Sequence, residues 1–492
     1  MLYIIMRKTI LIISSIFYFL VVSSCSENEA MKSIPYNIGG EALPTEQGAD
    51  KAVLDIRHSM AVVDSAMLHY FKDGSTAMAR YYNPYTRAAS SEVGSVWMYT
   101  SAIEAVNSVM EALKNGKSAV PELYADNYSR YEQLLDKLYD GLDYYKGTYT
   151  LTSYTQTKEW SIYAVNRASE KGKADVTGVL NVYDDQEWLI RELLRSYRIT
   201  GKADYLQKAE YLTDYVLDGW DCYPDAEGNE YGGITWGPGY VTKHSCSNGP
   251  LVSSLVWLYE TYRTKGDKIT YRKIDNQLRR YEVTVRKADY YLEFAKKIYA
   301  WQKQHLIMSS GVYYDLIGAT ANSPQYETVN GVRYRKGLDL TKPSGKAYTY
   351  NSGTMLSGCA DLYRVTRIDG YAEDARNLTT ATFAAFAKKD ADLQGYYSYP
   401  IDGFSTWFND VLLRGYLEAQ GQGADAAACI DSYQNNLDYA WAKFRKEGLL
   451  PVNLLLGWSL SSASNKVEAM FSFTYASEYA MLANYQFSNI SE

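Results

Sequence analysis

The stretch YDDQEWLIRELLRSYRITGKADYLQKAEYLTDYVL, residues 183–217, decides the fold. It reads as two amphipathic helices, 183–199 and 203–217, with Thr200-Gly201 between them as a stop and restart. So short a link folds the second helix back against the first. Similar short, Gly-containing links join 352–366 to 370–388 and 404–419 to 424–446. Working outward, apolar residues recur at i, i+3, i+4 and i+7 in about twelve segments in all. The remaining ones are 51–72, 93–114, 122–146, 250–264, 271–306 and 466–486; in the first, Val53, Ile56, Met60, Val63 and Met67 share one face. The segment 271–306 is long for one globular helix and is expected to be extended or broken. Long connections such as 218–249 and 307–350 follow the second helix of a pair. Alternating short and long connections predict six helical hairpins in a ring, an all-α (α/α)6 barrel over residues 50–492. Inner helices then alternate with outer ones, and the long loops gather on one face around a cleft. Strand-like alternation is scarce and confined to the connections.

The chain has 50 Lys+Arg, 57 Asp+Glu and a net charge of -7. That argues against a nucleic-acid partner, because phosphate binding needs a basic face. The 49 Tyr and 10 Trp offer flat faces with polar tips, as carbohydrate clefts do, and as ordinary cores do too. At the N-terminus, Arg7 and Lys8 precede an apolar run from about Thr9 to Val22, and Val22-Ser23-Ser24-Cys25 follows. This reads as a lipoprotein leader over 1–24, with lipid on Cys25 and a tether over 25–49. The lipid is the one membrane attachment expected, and the location expected is the outer membrane, on its cell-surface or periplasmic face. Of the other cysteines, Cys222 and Cys246 flank one loop region and can pair, while four buried thiols are equally compatible with the sequence. His58, His69, His244 and His305 are scattered, so no metal site is expected; without a nucleotide fingerprint, no cofactor is expected either. A monomer is expected.

The chemical candidates lie where long loops run into helices. Tyr183-Asp184-Asp185-Gln186-Glu187-Trp188 opens a helix with two adjacent carboxyls. Such a pair can act as nucleophile and general acid/base in glycoside hydrolysis. It can equally serve the helix, with Asp184 as N-cap and Glu187 completing a capping box. In the Tyr231-Gly232-Gly233-Ile234-Thr235-Trp236 loop, the glycines would let backbone approach a ligand and Trp236 would offer a stacking face. Lys243 and Ser247-Asn248-Gly249-Pro250 lead into the next inner helix, where Asn248 either bonds a sugar hydroxyl or caps the helix. Gly311-Val312-Tyr313-Tyr314-Asp315, Tyr350-Asn351-Ser352-Gly353-Thr354 and Asp402-Gly403-Phe404 with Trp407-Phe408-Asn409 stand at the following junctions.

These motifs, in this order, resemble glycoside hydrolase family 76 over about residues 50–488. The resemblance implies an (α/α)6 barrel and a retaining endo-α-1,6-mannanase that acts on mannan polysaccharide. It implies Asp184 as nucleophile and Asp185 as general acid/base, with Trp188, Trp236, Asn248, Asp315, Tyr350 and Asn351 as substrate-binding residues. It also leaves open transfer of the glycosyl unit to another sugar, and a glycan-binding lipoprotein without catalysis stands as the other alternative. The chain departs from the family at Phe404-Ser405-Thr406-Trp407, where many members carry Phe-Lys-Gly.

Overall fold

The computed structural model describes residues 51–490, so the leader, Cys25 and the expected tether lie outside the described residues. Twelve α-helices follow one another among the described residues: α1 (Lys51–Tyr70), α2 (Val96–Asn115), α3 (Pro121–Leu142), α4 (Tyr183–Thr200), α5 (Ala203–Leu217), α6 (Gly249–Tyr262), α7 (Lys287–Leu306), α8 (Thr349–Thr366), α9 (Asp369–Phe386), α10 (Ser405–Ala419), α11 (Ala427–Phe444) and α12 (Ala469–Ile490). Between α4 and α5, Gly201 takes φ 76° and its N–H bonds the Tyr197 carbonyl, the left-handed stop that only glycine adopts without strain.

The even-numbered helices pack each on the next and close into a ring, α12 against α2. Each of α3, α5, α7, α9 and α11 lies outside the inner helix before it, and α1 packs on α12 and α2. The sixth hairpin is therefore assembled from the first and last helices of the described chain. The result is an (α/α)6 barrel. Burial follows position: α8, inside, has every residue from Thr349 to Leu362 buried. The outer α9 buries one stripe, Ala372, Ala375, Leu378, Thr379, Thr382 and Phe386, at helical spacing. Helices α8 and α10 touch backbone to backbone. A Cβ on Gly353 would stand 2.7 Å from the Val411 carbonyl, and one on Gly415 would stand 2.7 Å from the Gly353 carbonyl.

The segment 271–306 is not one helix. Strands Lys268–Ile274 and Arg280–Arg286 form an antiparallel hairpin before α7 begins at Lys287. Ile269 and Val285 pair across it, as do Tyr271 and Val283, while Thr270 with Thr284 and Arg272 with Glu282 fill the alternate positions. β-Branched and aromatic residues at period two favour the strand, even though their spacing also fits a helical face over a short run. A second seven-residue hairpin, Lys146–Thr152 with Thr157–Tyr163, occupies part of the stretch expected to end a helix at 146. Both hairpins lie in connections between helices. A small sheet in the order 340–344, 316–319, 243–244 ties the loop before α6 to the loop before α8. It fixes two walls of the mouth formed where the inner helices begin.

Candidate active site

Helix α4 starts at Tyr183, with Val182 as its N-cap and no side chain in the capping role. Asp184 and Asp185 are thus the second and third helical residues, and the capping box of Asp184 with Glu187 does not form. The loop carrying Trp236 takes its place. The Tyr183 N–H donates to the Trp236 carbonyl at 2.8 Å. Asp184 stays free to point elsewhere, and both carboxyls gain from the positive end of the helix. In the first turn no preceding turn blocks them, so neighbouring side chains reach the same mouth.

The two carboxyls have unequal surroundings. Asp184 Oδ2 accepts from Trp236 Nε1 at 3.1 Å and Oδ1 accepts from the Asp185 N–H at 3.0 Å. The Cys246 thiol stands beside Asp184 and favours its charged form. Burial pushes the Asp184 pKa above the ordinary range, and these donors pull it back. Asp185 is 7% exposed and accepts no side-chain bond among the described residues. Burial pushes it up much further, and the charge of Asp184 adds to the effect. At neutral pH the arrangement favours an ionised Asp184 beside a protonated Asp185.

The loop glycines have a packing role. Gly232 and Gly233 take φ 70° and 74°, and a Cβ on Gly233 would sit 2.4 Å from the Trp301 ring of α7. The close approach expected toward a ligand is made to Trp301 instead. Lys243, fully buried, donates to Asp221 at 2.8 Å and to the Gly232 carbonyl at 2.5 Å. Buried Arg335 donates to the carbonyls of Pro238 and Tyr240. Two buried cations thus hold the hairpin that presents Trp236, which stacks on His244 at 4.9 Å.

The other expected substrate contacts divide into two groups. Tyr350 donates to Asp315 Oδ1 at 3.0 Å, and Tyr350 packs on Phe408 at 4.5 Å. Asp315 is raised by burial and lowered by that hydroxyl. Tyr350 in turn feels the charges of Asp315 and Asp184, so this pair stands beside the acid pair. Asn248, Asn351 and Trp188 face inward. The Asn248 amide is spent on the Ile234 N–H and on the carbonyls of Ile234 and His244. Asn351 donates to the Tyr313 carbonyl at 3.2 Å. Trp188 is 6% exposed and meets Trp407 edge-on at 4.8 Å. The Asn248 amide is thus fully engaged within the protein, while Asn351 keeps its amide oxygen buried without a partner.

Sequence reasoning missed Cys246 and Arg335 as parts of the site. Cys246 is one residue from the Ser247–Pro250 motif, yet nothing local marks a thiol that lands on Asp184. It and Cys222 are both free, as are Cys359 and Cys429, so the possible Cys222–Cys246 disulfide is not formed. Away from the mouth, Asp55, His58 and Asp438 bring ligand atoms within 4.8 Å of one another. The Lys51 ammonium occupies the space between the carboxylates, at 2.5 Å from Asp55 and 2.9 Å from Asp438.

Residues 274–445 match the model of glycosyl hydrolase family 76, a segment that begins after the acid pair. No curated protein matches the chain. Among solved structures, a family 76 glycoside hydrolase from a bovine Bacteroides thetaiotaomicron strain is 20% identical, with a TM-score of 0.64 over 87% of this chain and 77% of that one. A family 76 mannosidase from Bacteroides thetaiotaomicron VPI-5482 is 19% identical, with a TM-score of 0.63 over 89% of this chain and 100% of that one. The family 76 α-1,6-mannanase of Salegentibacter sp. HEL1_6 is 17% identical, with a TM-score of 0.55 over 87% of this chain and 99% of that one. An inactive variant of that mannanase, with two adjacent aspartates replaced, is solved with α-1,6-mannotriose. Residues 274–445 thus match the family 76 model, and solved members of that family share this chain's fold over most of its length.

Proposed function

We propose that the protein is a retaining, endo-acting glycoside hydrolase that cleaves α-1,6-mannosidic bonds in mannan backbones. The observation that carries the reading is the unequal pair: two adjacent carboxyls at one mouth, one given two hydrogen-bond donors with a thiol beside it and the other none. The mannanase of the same fold, inactivated by replacing two adjacent aspartates, supports the substrate class.

In this mechanism Asp185 gives its proton to the glycosidic oxygen as the bond from that oxygen to the anomeric carbon breaks. An Asp184 carboxylate oxygen attacks the anomeric carbon from the opposite face and forms a mannosyl ester. Asp185, now ionised, takes a proton from water. The resulting hydroxyl adds to the anomeric carbon, Asp184 leaves as carboxylate, and Asp185 is again protonated. Trp236 and Cys246 keep the nucleophile ionised and oriented, while the Asp315–Tyr350 pair lines the sugar's side of the mouth. Product analysis on unbranched α-1,6-mannan tests the reading. A ladder of short oligosaccharides, first released as the α-anomer, is expected. Binding without new reducing ends, or a β-anomer released first, overturns it. Products longer than the substrate would mark transfer to sugar at the same ester.

Cys246→Ala removes one group that favours the charged form of Asp184, so the nucleophile's pKa should rise. Ionised Asp184 is needed, so the acidic limb of the rate profile should move to higher pH, by about half a unit for a weak S–H donor. An unmoved limb in kcat/KM against pH would remove the thiol from the site.

The same reading places the enzyme on the outer membrane as a lipid-tethered monomer, on the strength of the residues around Cys25. Labelling with a palmitate analogue should mark the wild-type chain and leave Cys25→Ala unmarked. Label retained in the variant would rule the anchor out.

A further inference from the structure

Outside the inner ring, a cleft of about 250 Å³ opens between the hairpins 146–163 and 268–286, over α5 and α7. It lies apart from the mouth that holds Asp184 and Asp185. One side is aromatic: the Tyr271 ring is 4.7 Å from Tyr290, and Tyr290 is 5.0 Å from Phe294. Trp160 and Asp214 also line it. Several polar groups are left unspent there, among them Trp160 Nε1 and Asp218 Oδ2, both buried without a partner. Tyr290 is 5% exposed, and its hydroxyl makes no hydrogen bond among the described residues. The Asp214 carboxyl accepts none either, although α5 brings it into the same cleft.

The charges settle what kind of ligand fits. A carboxylate among aromatic rings suits an ammonium ion, but that place is already filled. Lys158 Nζ stands 3.7 Å from the centre of the Trp160 ring, and its charge faces Asp214. At the rim Lys297 pairs with Glu230 at 3.2 Å and Arg272 with Glu282 at 3.5 Å. What remains, with Lys273 and Asp218 also in the lining, is a balanced set of charges, and the half-buried Tyr271 ring offers a stacking face with unspent donors and acceptors beside it. That combination recognises a hydroxylated ring.

We propose that this cleft is a second carbohydrate site, which takes one pyranose unit of a neutral glycan chain and holds the polymer while the mouth cleaves it. The proposal rests on the reading of the chain as a mannanase. A second site on the same molecule raises the avidity for a long chain and leaves a short one, unable to reach both sites, unaffected.

The test uses the whole chain with Tyr271→Ala, on the exposed hairpin, and Tyr290→Phe, which keeps the packing and removes the hydroxyl. Mobility in a gel containing α-1,6-mannan reads polymer binding, and turnover of α-1,6-mannotetraose reads the mouth. Retention should weaken about tenfold in Tyr271→Ala and less in Tyr290→Phe, with tetraose turnover within about twofold of wild type. Wild-type retention in both variants, with turnover intact, overturns the second site alone. Retention and turnover lost in step would make the cleft part of the mouth, and also overturns it. A wild-type chain that neither cleaves nor is retarded by mannan overturns this inference together with the proposed function.

Discussion

Asp185→Asn should lower turnover of α-1,6-mannan by on the order of 10²–10⁴-fold, the usual contribution of a positioned acid/base. Its melting temperature should hold or rise. Asp184→Asn should cost at least as much activity, because no ester can form without the nucleophile. The stability half of the prediction separates a catalytic pair from a structural one. In the fold Asp185 has a raised pKa, so the folded state binds a proton that the unfolded chain has already released. Between the ordinary aspartate pKa, about 3.9, and the raised value, stability therefore falls as pH rises. Asparagine carries no charge to bury, so that cost disappears. A pair kept to cap α4 would behave in the opposite way, losing about 1 kcal/mol with each replacement and leaving turnover intact. Initial rates and thermal melts on both variants decide between the two.

The second large effect is expected at the buried ion pair behind the loop. Asp221 and Lys243 are both fully buried, and Lys243 also holds the Gly232 carbonyl. Burial raises Asp221 and lowers Lys243, and each is pulled back by its partner. Asp221→Ala strands the ammonium among apolar neighbours, and a loss of about 3–5 kcal/mol is expected in urea unfolding. Combining Asp221→Asn with Lys243→Met removes both charges and should recover most of that stability. The double variant should still be a poorer enzyme, since the Gly232 carbonyl in the loop that presents Trp236 then loses its ammonium donor. A single variant that loses less than about 1 kcal/mol would mean that Lys243 sheds its proton or finds another anion.

Six adjacent residues, Tyr183 to Trp188, carried the functional reading, and the helices around them were legible for local reasons. Gly201 stops α4 by its own backbone preference, and the apolar stripe of α9 needs no neighbour to be seen. The break in 271–306 was expected from its length, but the pairing of 268–274 with 280–286 was not read, because a short apolar run fits helix and strand alike. Its pairing partner and the helix beneath it decide the matter, and neither is a local property.

The site itself was half visible. Asp184 and Asp185 stand out as adjacent carboxyls, but whether they cap a helix or face a cleft depends on what bonds the helix start. That role falls to the Trp236 carbonyl, contributed by a loop some fifty residues away. The Cys246 thiol on Asp184 and the Arg335 clamp on the loop arise in the same way, from segments that only the closed ring brings together. Periodicity, stops and a cluster of chemically able residues are written along the chain, because each depends on near neighbours. Which carboxyl is held protonated, and which polar groups bond the barrel's own backbone, depends on burial and on donors from distant segments, so the folded barrel alone decides it.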